Sequence, residues 1–250
     1  MITFQKLGEF GRLGNQLFQI ASTIGIATKN NAGYVFPTWK YSHFFEKEIP
    51  QSDDIVFQDS YHEKTFTYQS IHLDSHVDWN LSGFFQSEKY FLHCRELIRS
   101  FLTLKTEHEN YIQEKYGQYL KYPTCAIHVR RGDYLVVPEN HPVQPLDYYR
   151  QAMEIVGNDN LFIVCSDDVA WCKENFKGPN FVFIEGEMDI IDMFVMSKCT
   201  NQIIANSSFS WWGAWLNAHQ SKKLIAPSQW FGPGINDSWR DIYLKEMIVI

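Results

Sequence analysis

HVRRGDY, residues 128 to 134, sets a histidine, two arginines and an aspartate directly behind a short apolar run. An arginine fork stays charged at any working pH and grips phosphate oxygens two at a time, so Arg130 and Arg131 read as a local anion site suited to a diphosphate. Asp167 and Asp168 close another apolar run in CSDD. One of them suits the N-cap of the DVAWCKENF segment, and the other can accept two N–H donors from a guanine edge. NSSFS, residues 206 to 210, is either an ordinary helix cap or, by the same geometry, a set of N–H and hydroxyl groups turned toward an anion. Asp133, Glu139 and His141 follow the arginine loop and are chemically able to take a proton from a hydroxyl; Asp133 equally suits pinning Arg131.

These clusters need elements to hold them. From Thr124 onward, short apolar runs (CAIHV, LFIVCS, FVFIEG, QIIANS, KLIAPS) alternate with segments of helical length (PLDYYRQAMEIV, DVAWCKENF, MDIIDMFVMSKC, FSWWGAWLNAH). That alternation predicts βαβ units and a parallel α/β sheet. HVRRGDY, SDD, EGEMD and NSSFS then all fall at carboxyl ends of strands, the edge where open parallel sheets bind ligands, and one site built from several loops is the economical reading. In the first half, Leu13, Leu17, Ile20, Ile24 and Ala27 share one helical face, and YVFP follows as a strand. Between Thr38 and Ser82 only mixed loops and short elements are expected. The tyrosine-rich EKYGQYLKYPT, residues 114 to 124, is the expected passage between two lobes.

Composition narrows the partners. The 250 residues are 45% hydrophobic and carry 22 basic against 29 acidic side chains, a net charge of −7 that argues against nucleic acid or an anionic membrane as a general partner. The five cysteines form no CxxC pair and mostly lie in apolar runs, as reduced core thiols in a cytosol-like compartment do. MITFQKLGEF reads unlike a signal peptide, and no apolar run reaches membrane-spanning length, so the expected location is cytoplasmic, with peripheral association at the inner membrane left open. A P-loop is absent, Gly8, Gly11 and Gly14 are misspaced for GxGxxG, and neither DxD nor HExxH occurs. No metal and no other cofactor is therefore expected, and protein cations must stabilise any departing diphosphate.

GRLGNQLFQIA (11 to 21), GFFQSEKYF (83 to 91), HVRRGDY, CSDD and IIANSSFSWWGAWLN (203 to 217) resemble, in this order, the α-1,2-fucosyltransferases of glycosyltransferase family 11. The resemblance spans nearly the whole chain. It implies a GT-B-like α/β fold of two Rossmann-type lobes with a cleft between them: an acceptor-side lobe over 1–120 and a GDP-fucose-binding lobe over 121–250, the C-terminal segment packing back on the first. It implies inverting transfer of L-fucose from GDP-β-L-fucose to O2 of a terminal galactose in a glycan acceptor, in surface polysaccharide synthesis. Carried over residue by residue, Arg130, with Arg131 beside it, contacts the diphosphate and His128 lies near the nucleoside. Asp167 or Asp168 meets guanine, and Ser207, Ser208 and Ser210, with the amides around Phe209, lie near the phosphates. Asn15 reaches the reacting centre, and Asp133 is the preferred base, although the departing phosphate can take the proton instead. Trp39, Tyr41 and Trp79 are candidate platforms for acceptor sugars. A fucosyltransferase with a different acceptor and a non-catalytic GDP-sugar or glycan-binding module remain alternatives.

Overall fold

A computed structural model describes all residues, 1–250, and divides the chain into two compact units: 1–109 with 237–243, and 110–236 with 244–250.

The first unit holds a four-stranded parallel sheet ordered β2-β1-β4-β3, from β1 (Ile2–Thr3), β2 (Tyr34–Val35), β3 (Asp59–His62) and β4 (Trp79–Ser82). Helix α1 (Leu13–Lys29) carries the expected apolar face, with Leu13, Leu17, Ile20, Ile24 and Ala27 buried. Burial nevertheless runs almost all round it, since Gln16, Gln19, Ser22 and Thr23 are also enclosed. Their polar groups are spent on loop backbone where they reach it: Ser22 Oγ donates to Phe85 O, and Gln19 Nε2 to Phe10 O. Gly25 is needed here because a Cβ would lie 2.2 Å from Tyr90 O, where the turn at 88–91 crosses the helix. Two further helices follow, α2 (Arg95–Phe101) and α3 (Thr106–Leu120), and residues 110–120 of α3 belong to the second unit. Residues 114–124 are the second half of α3, a short turn and the start of a strand: Tyr116 and Tyr119 are helix residues, with Tyr116 buried, and Tyr122 is exposed after the helix. Trp39 and Tyr41, offered above as sugar platforms, are core residues at 3% and 7% exposure, Trp39 stacking on Phe45.

The second unit is built on a six-stranded parallel sheet ordered β10-β9-β8-β5-β6-β7. Its strands are β5 (Thr124–Val129), β6 (Leu161–Ser166), β7 (Phe181–Phe183), β8 (Asn201–Ile203), β9 (Leu224–Ala226) and β10 (Met247–Val249). Helices α4 (Leu146–Val156), α5 (Val169–Asn175), α6 (Asp189–Lys198) and α7 (Ser208–Leu216) form the crossovers. Growth to both sides of β5 makes the β5/β8 boundary the switch point of a Rossmann sheet. Every residue of β5 is buried, so both faces of the sheet are covered. Cys125, Ile127 and Val129 pack with Tyr148, Tyr149 and Ala152 of α4. The alternate residue His128 faces the other way, its ring 5.1 Å from that of Phe209 in α7. Trp211, Trp212 and Trp215 are fully buried core of α7, and all five cysteines are free, four of them buried.

Candidate active site

Strand register assembles the charged loop. Val129 pairs with Ser166, so Arg130-Arg131 and Asp167-Asp168 leave the sheet side by side. On the other flank Ile127 pairs with Ile203, which brings the Asn206–Ser207 segment up beside the same loop.

Arg130 is held from two sides: one terminal nitrogen donates to Asp133 at 2.6 Å and the other pairs with Asp167 Oδ2 at 2.9 Å. Its guanidinium also lies 5.3 Å from the Tyr134 ring. Asp133 therefore pins Arg130, where the sequence suggested Arg131. Arg131 is engaged elsewhere: its guanidinium lies 4.2 Å from the Trp171 ring and its Nε donates to Asp168 at 3.0 Å. Asp168 is the α5 cap, accepting from Trp171 N with its other oxygen, and these N–H donors hold its carboxyl below the usual range. Asp167 Oδ1 accepts from Arg131 N at 2.9 Å. Gly132 makes that approach feasible, since a Cβ there would lie 2.5 Å from Asp167 Oδ2. Asp133 is the more exposed of the two Arg130 partners, 46% against 24% for Asp167.

His128, buried beside this cationic loop, has its pKa brought down to about 3, first by desolvation and then by the Arg130 charge, so the ring is neutral. Its Nδ1 is buried without a hydrogen-bond partner. Ser207 caps α7 by accepting from Phe209 N, so that amide is already used. Ser210 is fully buried, its hydroxyl turned back toward Ala205 O and Ser207 O, which separates it from the exposed edge. Ser208 and Phe209 are half-buried at the start of the helix. The EGEMD loop does not join the cluster: Glu187 accepts from Lys115, Tyr111 and Tyr116 of α3, and Glu185 pairs with Lys173 of α5.

Several contacts around the arginine were not legible in sequence. Tyr134 places its ring on Arg130 and donates its hydroxyl to Asn206 O at 2.9 Å. Asn206 Nδ2 donates to both Pro142 O and Trp230 O, tying three loops behind the arginine. His141 stacks on Tyr134 at 4.9 Å between centroids. Its pKa is lowered by burial, with Asp133 opposing and Arg130 reinforcing the shift. The sequence placed Tyr134 in HVRRGDY, Asn206 in NSSFS and His141 among the candidate bases, but nothing in it gave these contacts. No group of three or more His, Cys, Asp or Glu side chains is arranged to hold a metal ion.

In the first unit, the glycine loop before α1 is fastened by its own helix: Gln16 Nε2 donates to Gly11 O, and Gln16 Oε1 accepts from Trp39 Nε1. Asn15, on the first turn, accepts from Gln86 Nε2 at 2.8 Å.

Comparison with known proteins gives this geometry a context. The sequence model described as "Glycosyl transferase family 11" matches residues 10–250. The chain is 46% identical over 132 residues to the O-antigen biosynthesis glycosyltransferase WbnK of Escherichia coli (46% of this chain, 43% of that protein). It is 37% identical over 161 residues to an alpha-1,2-colitosyltransferase of Escherichia coli (60% and 55%). Against galactoside alpha-(1,2)-fucosyltransferase 1 of Mus musculus it is 28% identical over 241 residues (82% and 61%). The chain thus spans less than two thirds of the length of these relatives. Among solved structures, POFUT1 in complex with GDP-fucose superimposes with a TM-score of 0.60 at 13% identity, covering 90% of this chain and 97% of that one. The parallel sheets and this likeness make the fold class α/β and GT-B-like.

Proposed function

The chain belongs to glycosyltransferase family 11, and from that premise we propose that it transfers L-fucose from GDP-β-L-fucose to O2 of a terminal galactose, with inversion and without a metal. The observation that carries the reading is Arg130: a guanidinium at the carboxyl end of β5, at the sheet's switch point, aimed by Asp133 and Asp167. As the acceptor O2 attacks the anomeric carbon from the face opposite GDP, the bond from that carbon to the diphosphate oxygen breaks and negative charge builds on the leaving group. Arg130 meets that charge with a directed fork. The start of α7 at Ser207 and Ser208 adds its N-terminal dipole. His128, kept neutral, adds no competing charge and offers a ring edge to the nucleoside. Asp133 is the better placed of Arg130's two carboxylates to take the hydroxyl proton, because Asp167 also accepts from Arg131 N and is more enclosed. The contacts of Asp167 and Asp168 support a bracing role for the pair, with guanine sharing an oxygen that already accepts one N–H. Asn15 hydrogen-bonds at the reacting centre.

The colitosyltransferase relative favours a second donor sugar for the same site, colitose in place of fucose. The O-antigen relative supports a place in surface polysaccharide synthesis; no helix of the chain is long and apolar enough to cross a membrane. The test is GDP release from GDP-fucose and from GDP-colitose, with and without lactose or a lacto-N-biose acceptor, in excess EDTA. Acceptor-stimulated release that EDTA leaves intact is expected, fastest with GDP-fucose. Binding without stimulated turnover would make the protein a GDP-sugar-binding module, and EDTA inhibition reversed by manganese or magnesium would reveal a metal site.

A further inference from the structure

Gln86 sits in GFFQSEKYF, a segment given no role in the chemistry above. Its side-chain NH2 donates to Asn15 Oδ1 at 2.8 Å across 71 residues of sequence, and the residue is only 9% exposed. Both partners are held from behind. On the Asn15 side, Gly11 adopts φ +89, and a Cβ there would lie 2.6 Å from Asn15 Nδ2, so the carboxamide packs directly on the glycine. Gln16 and Gln19 fix the carbonyls of Gly11 and Phe10 beneath it. On the other side, Glu63 accepts from the backbone N–H groups of Phe84 and Phe85, Ser22 donates to Phe85 O, and Ser87 donates to Asp241 O. Phe85, fully buried, is held at φ +50, a conformation that costs a bulky residue free energy and persists only where its surroundings over-determine it. The strained residue immediately precedes Gln86. In this arrangement the Asn15 oxygen faces Gln86 and its NH2 group faces Gly11.

We propose that Gln86 is the positioning residue for Asn15, locking its carboxamide so that the NH2 end serves as a hydrogen-bond donor to an oxygen at the reacting centre. The inference rests on the assignment of Asn15 to that centre. Gln86 itself touches no substrate. Because it acts through one partner, its contribution must vanish when that partner is removed, whereas a residue that merely supports the loop would cost the same in any background.

The experiment is a double-mutant cycle on kcat, on KM for the GDP-sugar and on thermal stability, with Gln86→Ala, Asn15→Ala and the double variant, plus the isosteric Gln86→Glu. An ionised carboxylate cannot donate to Asn15 Oδ1 and instead draws the NH2 end toward itself. Gln86→Ala and Gln86→Glu are expected to lower kcat roughly ten- to hundredfold while KM changes less than about threefold and the melting temperature stays near wild type. In the Asn15→Ala background, Gln86→Ala should cost less than about twofold more. Losses that multiply in the double variant, or Gln86→Glu with wild-type kcat while Asn15→Ala is impaired, would overturn the positioning role. Asn15→Ala with wild-type kcat would instead remove Asn15 from the reacting centre, and with it the premise.

Discussion

A guanidinium with a carboxylate on each terminal nitrogen is aimed as well as charged, and that separates Arg130 from Arg131. Arg131 spends its Nε on Asp168 and its face on Trp171; Arg130 is braced by Asp133, Asp167 and Tyr134. Lysine at 130 keeps the charge but cannot be braced from two sides while meeting a diphosphate with parallel N–H groups. Arg130→Lys should therefore lower kcat/KM on the order of 10²-fold or more with little change in thermal unfolding. Near-wild-type turnover would move the diphosphate away from Arg130. At this scale the sequence was legible wherever residue type alone carries the chemistry, as with paired arginines and carboxylates behind apolar runs. It was illegible where the role is a contact: the choice of Arg130 as Asp133's partner, the Tyr134 hydroxyl on Asn206 O and the Gln86–Asn15 bond all depend on strand register or long-range packing.

Elements show the same division. The strands and helices after Thr124 follow the alternation in the sequence because the central apolar runs, β5 above all, are covered on both faces and each crossover is amphipathic or buried. The two-residue β1 and the three-residue β10 are too short to carry a period, and Tyr116 of EKYGQYLKYPT is a buried helix residue that donates its hydroxyl to Glu187. Helix α6 carries a testable cost. Asp192 is half-buried with Oδ1 enclosed and unpartnered, and desolvation together with the Glu187 and Asp189 charges pushes its pKa up to about 7. The folded state therefore binds a proton that the unfolded chain releases above the ordinary carboxylate range, so stability from this group is present at low pH and lost as pH rises through about 7. Asp192→Asn should stabilise the protein by roughly 1–3 kcal/mol at pH 8 and by much less at pH 5, read from urea unfolding of both proteins at each pH. His128, whose depressed pKa has the opposite sign, is common to both proteins and cancels in the difference. A gap that does not change with pH would show that Asp192 stays ionised in the fold.

For the molecule as a whole, family membership and fold class rest on the match over residues 10–250, the parallel sheets and the likeness to POFUT1. The family resemblance was legible because HVRRGDY and NSSFSWWGAWLN combine charge, glycine and buried tryptophan in one order along the chain. Acceptor choice was not legible: of the aromatic residues proposed to recognise sugars, Trp39 and Tyr41 are core. Only Trp79 remains half-exposed, its indole donating to Asp74 O. The central claim is inverting transfer of L-fucose to O2 of galactose, driven by an in-line attack with Arg130 on the leaving group. Proton NMR of the product formed from GDP-fucose and lactose tests it most directly, through the fucose anomeric coupling and the linkage position. The account predicts an α-fucoside on O2 of the galactose; a β-fucoside would contradict inversion, and an α-fucoside on any other hydroxyl would contradict the assigned linkage.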